Sequence, residues 1–163
     1  MKILEGARIG AMTLKNRFVM PPISCNLTEN GFITERMIRF FEERAKGGVG
    51  LITIGDGIVD TPLGNNVKEN VAIDDDRYIP ELKKLAHAVK KHGTKTVLQI
   101  SHAGRRAGHV SKEGFLAVTR GEMPVAPSSI AHPAPGFVVP RELSREEIRE
   151  IVTKFGDASR RTI

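Results

Sequence analysis

The sequence predicts an α/β fold built on a parallel sheet. Short apolar runs, Phe18–Pro22 (FVMPP), Gly50–Ile54 and Thr96–Ile100, alternate with segments of helical periodicity. The runs are rich in Val, Ile and Leu with little polar alternation, the pattern of strands covered on both faces. A strand-then-helix order repeated three times implies parallel pairing. Two architectures fit: a doubly wound sheet, or part of a (β/α)8 barrel, which takes about 250 residues when whole.

The elements follow in order. Ala7–Ile9 and Thr13–Lys15 flank a turn at Gly10 and predict a small hairpin. The first strand candidate, Phe18–Pro22, leads into a loop, Ser24–Ile33, with the turn formers Asn26, Asn30 and Gly31. Thr34 is placed to cap a helix through Met37, Phe40, Phe41 and Ala45, closed by Gly47-Gly48. The second strand, Gly50–Ile54, ends in Gly55-Asp56-Gly57. After a polar loop, Asp74-Asp75-Asp76 brings negative charge to a helix start, and Pro80 fits the first turn. That helix carries Ile79, Leu82, Leu85, Ala86 and Val89 and stops at Gly93. The third strand, Thr96–Ile100, opens a long segment to Leu143, whose prolines at 124, 127, 133, 135 and 140 predict no regular structure. Ser144 and Glu147 form a capping-box pair, and Ile148, Ile151, Val152 and Phe155 follow at helical spacing. Gly156 interrupts the pattern, but no proline, cap or strand comes after it, so the chain is expected to be part of a larger fold.

Composition narrows the function. The net charge is +6, from 25 Lys and Arg against 19 Asp and Glu, but the cations spread along helix faces, as at Lys83, Lys84, Lys90 and Lys91. With one tyrosine and no tryptophan, base-stacking platforms are scarce, and nucleic acid is not an expected partner. No apolar run approaches the ~20 residues of a membrane span. The N-terminus lacks a secretory apolar region, and the single cysteine, Cys25, forms no internal disulfide. A cytoplasmic location is expected.

Parallel α/β folds gather ligands at the C-terminal ends of their strands. Three clusters fall there: Pro21–Asn26, Gly55–Gly57 and Gln99–Arg106. An amide in a buried strand, such as Gln99, needs partners, and it both donates and accepts. Those partners are either loop backbone or a heterocycle such as a flavin pyrimidine. His102 offers a proton donor, an anion ligand or a loop lock. Arg105 and Arg106 suit phosphate or carboxylate, or stand as solvated charges. Asp56, among glycines, lies near a ligand or caps a turn. Cys25 has no adjacent base, so packing or cofactor lining is favoured over nucleophilic catalysis. His87 and His92 are five apart, off the spacing of a helical metal pair, and no metal is expected. No Walker loop or G-x-G-x-x-G motif follows a strand.

LKNRFVMPPISCN, ERAKGGVGLITIGDG and VLQISHAGRRA together resemble the N-terminal part of the old yellow enzyme family of FMN-dependent NADH:flavin oxidoreductases. Met20-Pro21-Pro22 and Arg44–Gly48 are most similar to the branch of 2,4-dienoyl-CoA and enoate reductases. The resemblance implies a (β/α)8 barrel closed by an N-terminal hairpin, with residues 1–163 forming a partial domain that stops within the third helix. It implies that Pro22, Ile23 and Ser24 line FMN, that Ser24 or Cys25 stands beside flavin N5, and that Gln99 hydrogen-bonds the pyrimidine. The family has a small residue where this chain has Asp56. Asn26 falls where some members place a substrate-contacting tyrosine, and His102 and Arg105 belong to a loop-ordering HAGR signature. The implied activity is ene-reduction: NADH or NADPH reduces FMN, and the activated C=C bond of an enone or enoate is reduced in turn. The family's substrate-binding pair, proton-donating tyrosine and phosphate loops lie beyond Ile163. Iron–sulfur and FAD sites are implied only where further domains follow. An open three-unit sheet should pair with the missing half of the barrel or with its own copies. The alternatives are a non-catalytic partial barrel, one piece of a split enzyme, or another FMN-barrel chemistry such as dihydroorotate oxidation, against which the HAGR-type strand argues.

Overall fold

The computed structural model describes residues 1–112, 114 and 116–163. An antiparallel hairpin comes first, β1 (Ala7–Ile9) against β2 (Met12–Leu14), with Ala7 opposite Leu14. β3 (Val19–Met20) follows. A second hairpin, β4 (Thr28–Glu29) and β5 (Phe32–Ile33), lies in the segment read above as a loop. Its turn is Asn30-Gly31, both at positive φ (52° and 86°), the conformation a two-residue hairpin turn demands. α1 (Glu35–Lys46) starts where expected: the Thr34 hydroxyl accepts from Met37 N at 3.2 Å, a cap worth about 1 kcal/mol. β6 (Leu51–Ile58), β7 (Val71–Ala72), α2 (Ile79–Lys90) and β8 (Lys95–Ser101) complete the middle of the chain. In the proline-rich segment, β9 (Val125–Ala126) and β10 (Arg141–Glu142) pair in parallel, correcting the expectation of no regular structure. α3 (Arg145–Arg161) carries the predicted capping box and runs straight through Gly156.

The sheet topology separates the two candidate architectures. β6 pairs in parallel with β3 on one edge and β8 on the other. β7 continues the β3 edge alongside Gly57 and Ile58. Each strand of a βα unit therefore lies beside the one before it, without the reversal of order that marks a doubly wound sheet. The helices share one face. Met37, Phe41 and Ala45 of α1, Leu85 and Val89 of α2, and Ile52 and Ile54 of β6 form one buried cluster. A smaller cluster of Val59, Ile73 and Ala158 brings α3 against Leu82, Leu98 and Ile100. The fold is three βα units of a (β/α)8 barrel.

The opposite face is bare along β8, which corrects the reading of that strand as covered on both sides, whereas β6 is buried along nearly its whole length. Along β8, Lys95, Val97 and Gln99 are exposed while Thr96, Leu98 and Ile100 turn toward the helices. Only two residues of Phe18–Pro22 form a strand, and Val19 is 48% exposed. α3 is docked lightly: Ala158 is buried, but Val152 is 66% exposed. Two long-range ion pairs hold it, Lys154 Nζ to Asp60 at 2.7 Å and Arg161 Nε to Asp76 at 2.6 Å.

Glu42 ties α1 to the end of α2, with Lys91 Nζ at 2.6 Å and His92 Nε2 at 3.2 Å. Hydrogen bonds from Lys91 and His92 pull its carboxyl down from 4.5 to about 2. A depressed folded-state value means that the stabilisation is complete above the unfolded value and is lost as pH falls from 4.5 toward 2. Glu42→Gln is expected to lower stability at pH 7, to flatten the acid limb of a stability–pH curve in that window and to converge with the parent as pH falls to about 2. An unchanged acid limb would exclude this contribution.

Candidate active site

The three clusters at the strand ends converge. After β3 the chain passes through Pro21 and Pro22, which cannot donate to a ladder, and rejoins β6 by a single parallel bridge between Ser24 and Gly55. The β6–β8 register shifts between Ile54 and Gly57, so Gly55 and Asp56 step out of the regular pairing. At Gly55 the backbones nearly touch. A β-carbon there would lie 2.9 Å from Pro22 Cβ, 3.1 Å from Ile23 N and 3.3 Å from Gln99 Oε1. Gln99 of β8, Pro22 and Ile23 after β3, and Gly55 of β6 therefore meet at one point.

Gln99 is not a buried amide. It stands on the bare face of β8, and its side chain makes no hydrogen bond to the described residues. Its burial was misread because β8 looks like a covered strand in sequence, whereas its inner face has nothing over it. Its carboxamide is thus free to donate and accept toward a bound group. Pro22 and Ile23 beside it are also exposed.

Asp56 is 8% exposed and engaged with protein: its Oδ2 accepts from Ser24 Oγ and from Asn66 Nδ2, both at 2.7 Å. Asn66 in turn exchanges bonds with Asn70, whose Oδ1 takes the Asn66 and Val67 N–H groups. This ladder ties the 64–70 loop to the end of β6, and sequence reasoning missed it. The available signal was the asparagine-rich run Gly64–Asn70. Ser24 and Cys25 diverge. Ser24 faces Asp56, whereas Cys25 packs against the helix-side core, where burial pushes its thiol up despite the opposing backbone bond at Leu27. Asn26 is exposed with φ of 50°.

His102 sits at the end of β8 with its side chain 8% exposed. Its Nδ1 accepts from Gly104 N at 3.1 Å, so in the neutral ring the proton is on Nε2. Nε2 points at Asp60 Oδ2, 3.5 Å away: an electrostatic contact too long for a hydrogen bond. Burial opposes ionisation of Asp60 more than any other single effect, yet His102 and Lys154 together hold its carboxyl below the ordinary range. His102 thereby fixes the 3-10 turn Gly104–Gly108, which carries Arg105 and Arg106. Both arginines are exposed, and Arg105 Nη1 reaches Ala131 O at 3.5 Å. No group of three or more metal-ligating side chains occurs among the described residues. A groove of about 420 Å³ beside Leu82, Ala86 and Leu98 lies on the helix side, away from this site.

The profile of the NADH:flavin oxidoreductase / NADH oxidase family matches residues 2–163. The chain belongs to this family. It is 43% identical over 158 residues to an NADH oxidase of Thermoanaerobacter brockii, covering 96% of this chain and 23% of that protein. It is 37% identical to an NADPH dehydrogenase of Clostridium acetobutylicum, covering 99% of this chain and 44% of the relative. A 2-naphthoyl-CoA reductase complex superposes with a TM-score of 0.86 at 28% identity, over 99% of this chain and 25% of that one. Morphinone reductase in complex with tetrahydroNAD superposes at 0.85 and 24% identity, over 99% and 46%, which supports the shared barrel fold. The chain spans less than half the length of each of these proteins. Among the described residues, no helix is long and apolar enough to cross a membrane.

Proposed function

We propose that this chain forms the N-terminal part of an FMN-dependent NAD(P)H oxidoreductase that reduces the activated C=C bonds of α,β-unsaturated carbonyl compounds. The observation that carries the reading is the convergence of Pro22, Ile23 and the uncommitted Gln99 carboxamide around Gly55. A flat heterocycle with alternating donors and acceptors fits such a cradle. Its groups match an amide that donates and accepts, and the missing β-carbon of Gly55 allows close approach. FMN bound there supplies hydride chemistry between NADH or NADPH and the alkene. Gln99 holds the pyrimidine edge, Ser24 rather than Cys25 faces the ring, and Asp56 keeps Ser24 oriented. Asn26 lies on the substrate side. His102 and Arg105 order the loop that borders it. The proton donor and the phosphate site belong to sequence outside these 163 residues. We place the protein in the cytoplasm. Iron–sulfur and FAD domains downstream are consistent with the length of the T. brockii relative, well over twice the ~250 residues of a barrel.

The bare sheet face favours a second element of this reading. Val19, Val97 and Gln99 need a covering partner, either the remaining barrel units or a separate chain that supplies them. The test is the intact protein. It should purify with FMN absorbance and oxidise NADH or NADPH in the presence of an enone. Gln99→Ala should weaken flavin binding by roughly tenfold, the loss of one to two buried hydrogen bonds. A colourless protein, or a variant with unchanged affinity and spectrum, would count against the assignment.

A further inference from the structure

We propose a second, anion-binding site on the outer side of the asparagine ladder, specific for a phosphate or carboxylate group. A cavity of about 250 Å³ opens between the β4–β5 turn and the loop after β6. Lys68, Arg77 and Arg120 line it, and no carboxylate does among the described residues. Lys68 and Arg120 make no ion pair or hydrogen bond with the described residues. Arg77 spends one Nη2 bond on Tyr78 Oη (2.9 Å), with its guanidinium 4.9 Å from the centre of that ring, leaving its other donors free. The nearby acidic groups bond chiefly to backbone and to Thr61: Glu69 takes Asn30 N, Asp74 Oδ2 takes Thr61, and Asp75 takes the backbone N–H of Arg77. Asp75 and Asp74 act on the Arg77 guanidinium through space but form no ion pair with it.

The floor of the cavity adds an independent sign. Asn65 is 6% exposed and lines it, yet its Oδ1 is buried without a hydrogen-bond partner. An unmet buried acceptor is costly. A protonated phosphate oxygen satisfies it, and a half-turn of the amide offers donors to a fully ionised group instead. Three unpaired cations around one concave space also concentrate anions from solution, and Arg77 suits two-pronged contact with a phosphate or carboxylate.

The site adjoins the flavin cradle proposed above but is separate from it. Asn70 lines the cavity and bonds Asn66, which bonds Asp56, which bonds Ser24. An anion there would stiffen the loop that supports Ser24. It would come either from the reacting substrate or from free solution.

The test is calorimetric titration of the intact protein with inorganic phosphate at low ionic strength, which reads binding whether or not the protein turns over. Saturable binding is expected, weakened about tenfold in Lys68→Gln and in Arg77→Gln. Lys68 is exposed, so its variant separates lost binding from misfolding should Arg77→Gln destabilise the turn. A second arm compares KM for an uncharged enone and for an alkene substrate bearing a phosphate. A KM rise confined to the phosphate-bearing substrate in Lys68→Gln identifies a substrate-borne anion. Phosphate binding with both KM values unchanged identifies a free anion. Absence of saturable binding, or binding indifferent to both substitutions, overturns the proposal, and neither result bears on the flavin assignment.

Discussion

Phe41→Ala is expected to destabilise the protein by about 3–5 kcal/mol, the range for emptying an aromatic site in a close-packed core. Phe41 is wholly buried, edge-on to Phe40 at 5.1 Å between ring centres. It sits in the cluster that joins α1 to α2 and to the first half of β6. Little is placed to relax into the void, since Met37, Ile52, Leu85 and Val89 around it are also fully buried. Urea unfolding of the intact protein measures the cost. Val152→Ala, on the exposed stripe of α3, is the matched comparison and should stay within about 0.5 kcal/mol. Equal effects at the two positions would mean that the helix-side core is not where the stability resides.

That core was legible in the sequence, and the reason is local. Caps, helical spacing and breaker residues act within a few positions, so Thr34, Ser144 with Glu147, and Gly93 marked their helix boundaries without tertiary information. The Asn30-Gly31 hairpin was equally local, and its signal was read only as turn propensity. What was not legible depends on neighbours far along the chain. The exposure of Gln99 follows from what covers one face of β8, which the strand's own composition does not encode. The contact of Lys154 with Asp60 spans 94 positions. The divergence of Ser24 and Cys25 depends on the register of the single bridge to Gly55. Asp56 illustrates the mixture. Its place near the ligand end of the sheet was evident, although β6 runs past it to Ile58, but its buried bonds to Ser24 and Asn66 arise only when two loops meet.

The meeting point itself gives the largest functional prediction. Gly55→Ala is expected to reduce flavin affinity by at least about tenfold and to cost about 1–3 kcal/mol of stability by overpacking. The added carbon would collide with Pro22 Cβ at 2.9 Å and crowd Ile23 N at 3.1 Å. One of these belongs to a rigid ring and the other to backbone, so neither yields by a rotamer change. Only the third neighbour, Gln99 Oε1 at 3.3 Å, can swing aside, and doing so removes the amide from the cradle. Relief by either route separates the strand ends or misdirects Gln99. Gly156→Ala provides the contrast, because nothing lies within 4 Å of its β-carbon position in α3. It should be neutral or stabilising by up to about 1 kcal/mol. Flavin absorbance on purification and fluorescence titration of the apoprotein read the first variant, and thermal unfolding reads both. If Gly55→Ala binds FMN as the parent does, the close approach of these three segments is not the flavin site. A loss of affinity larger than its loss of stability explains would locate the defect in the cradle rather than in the fold.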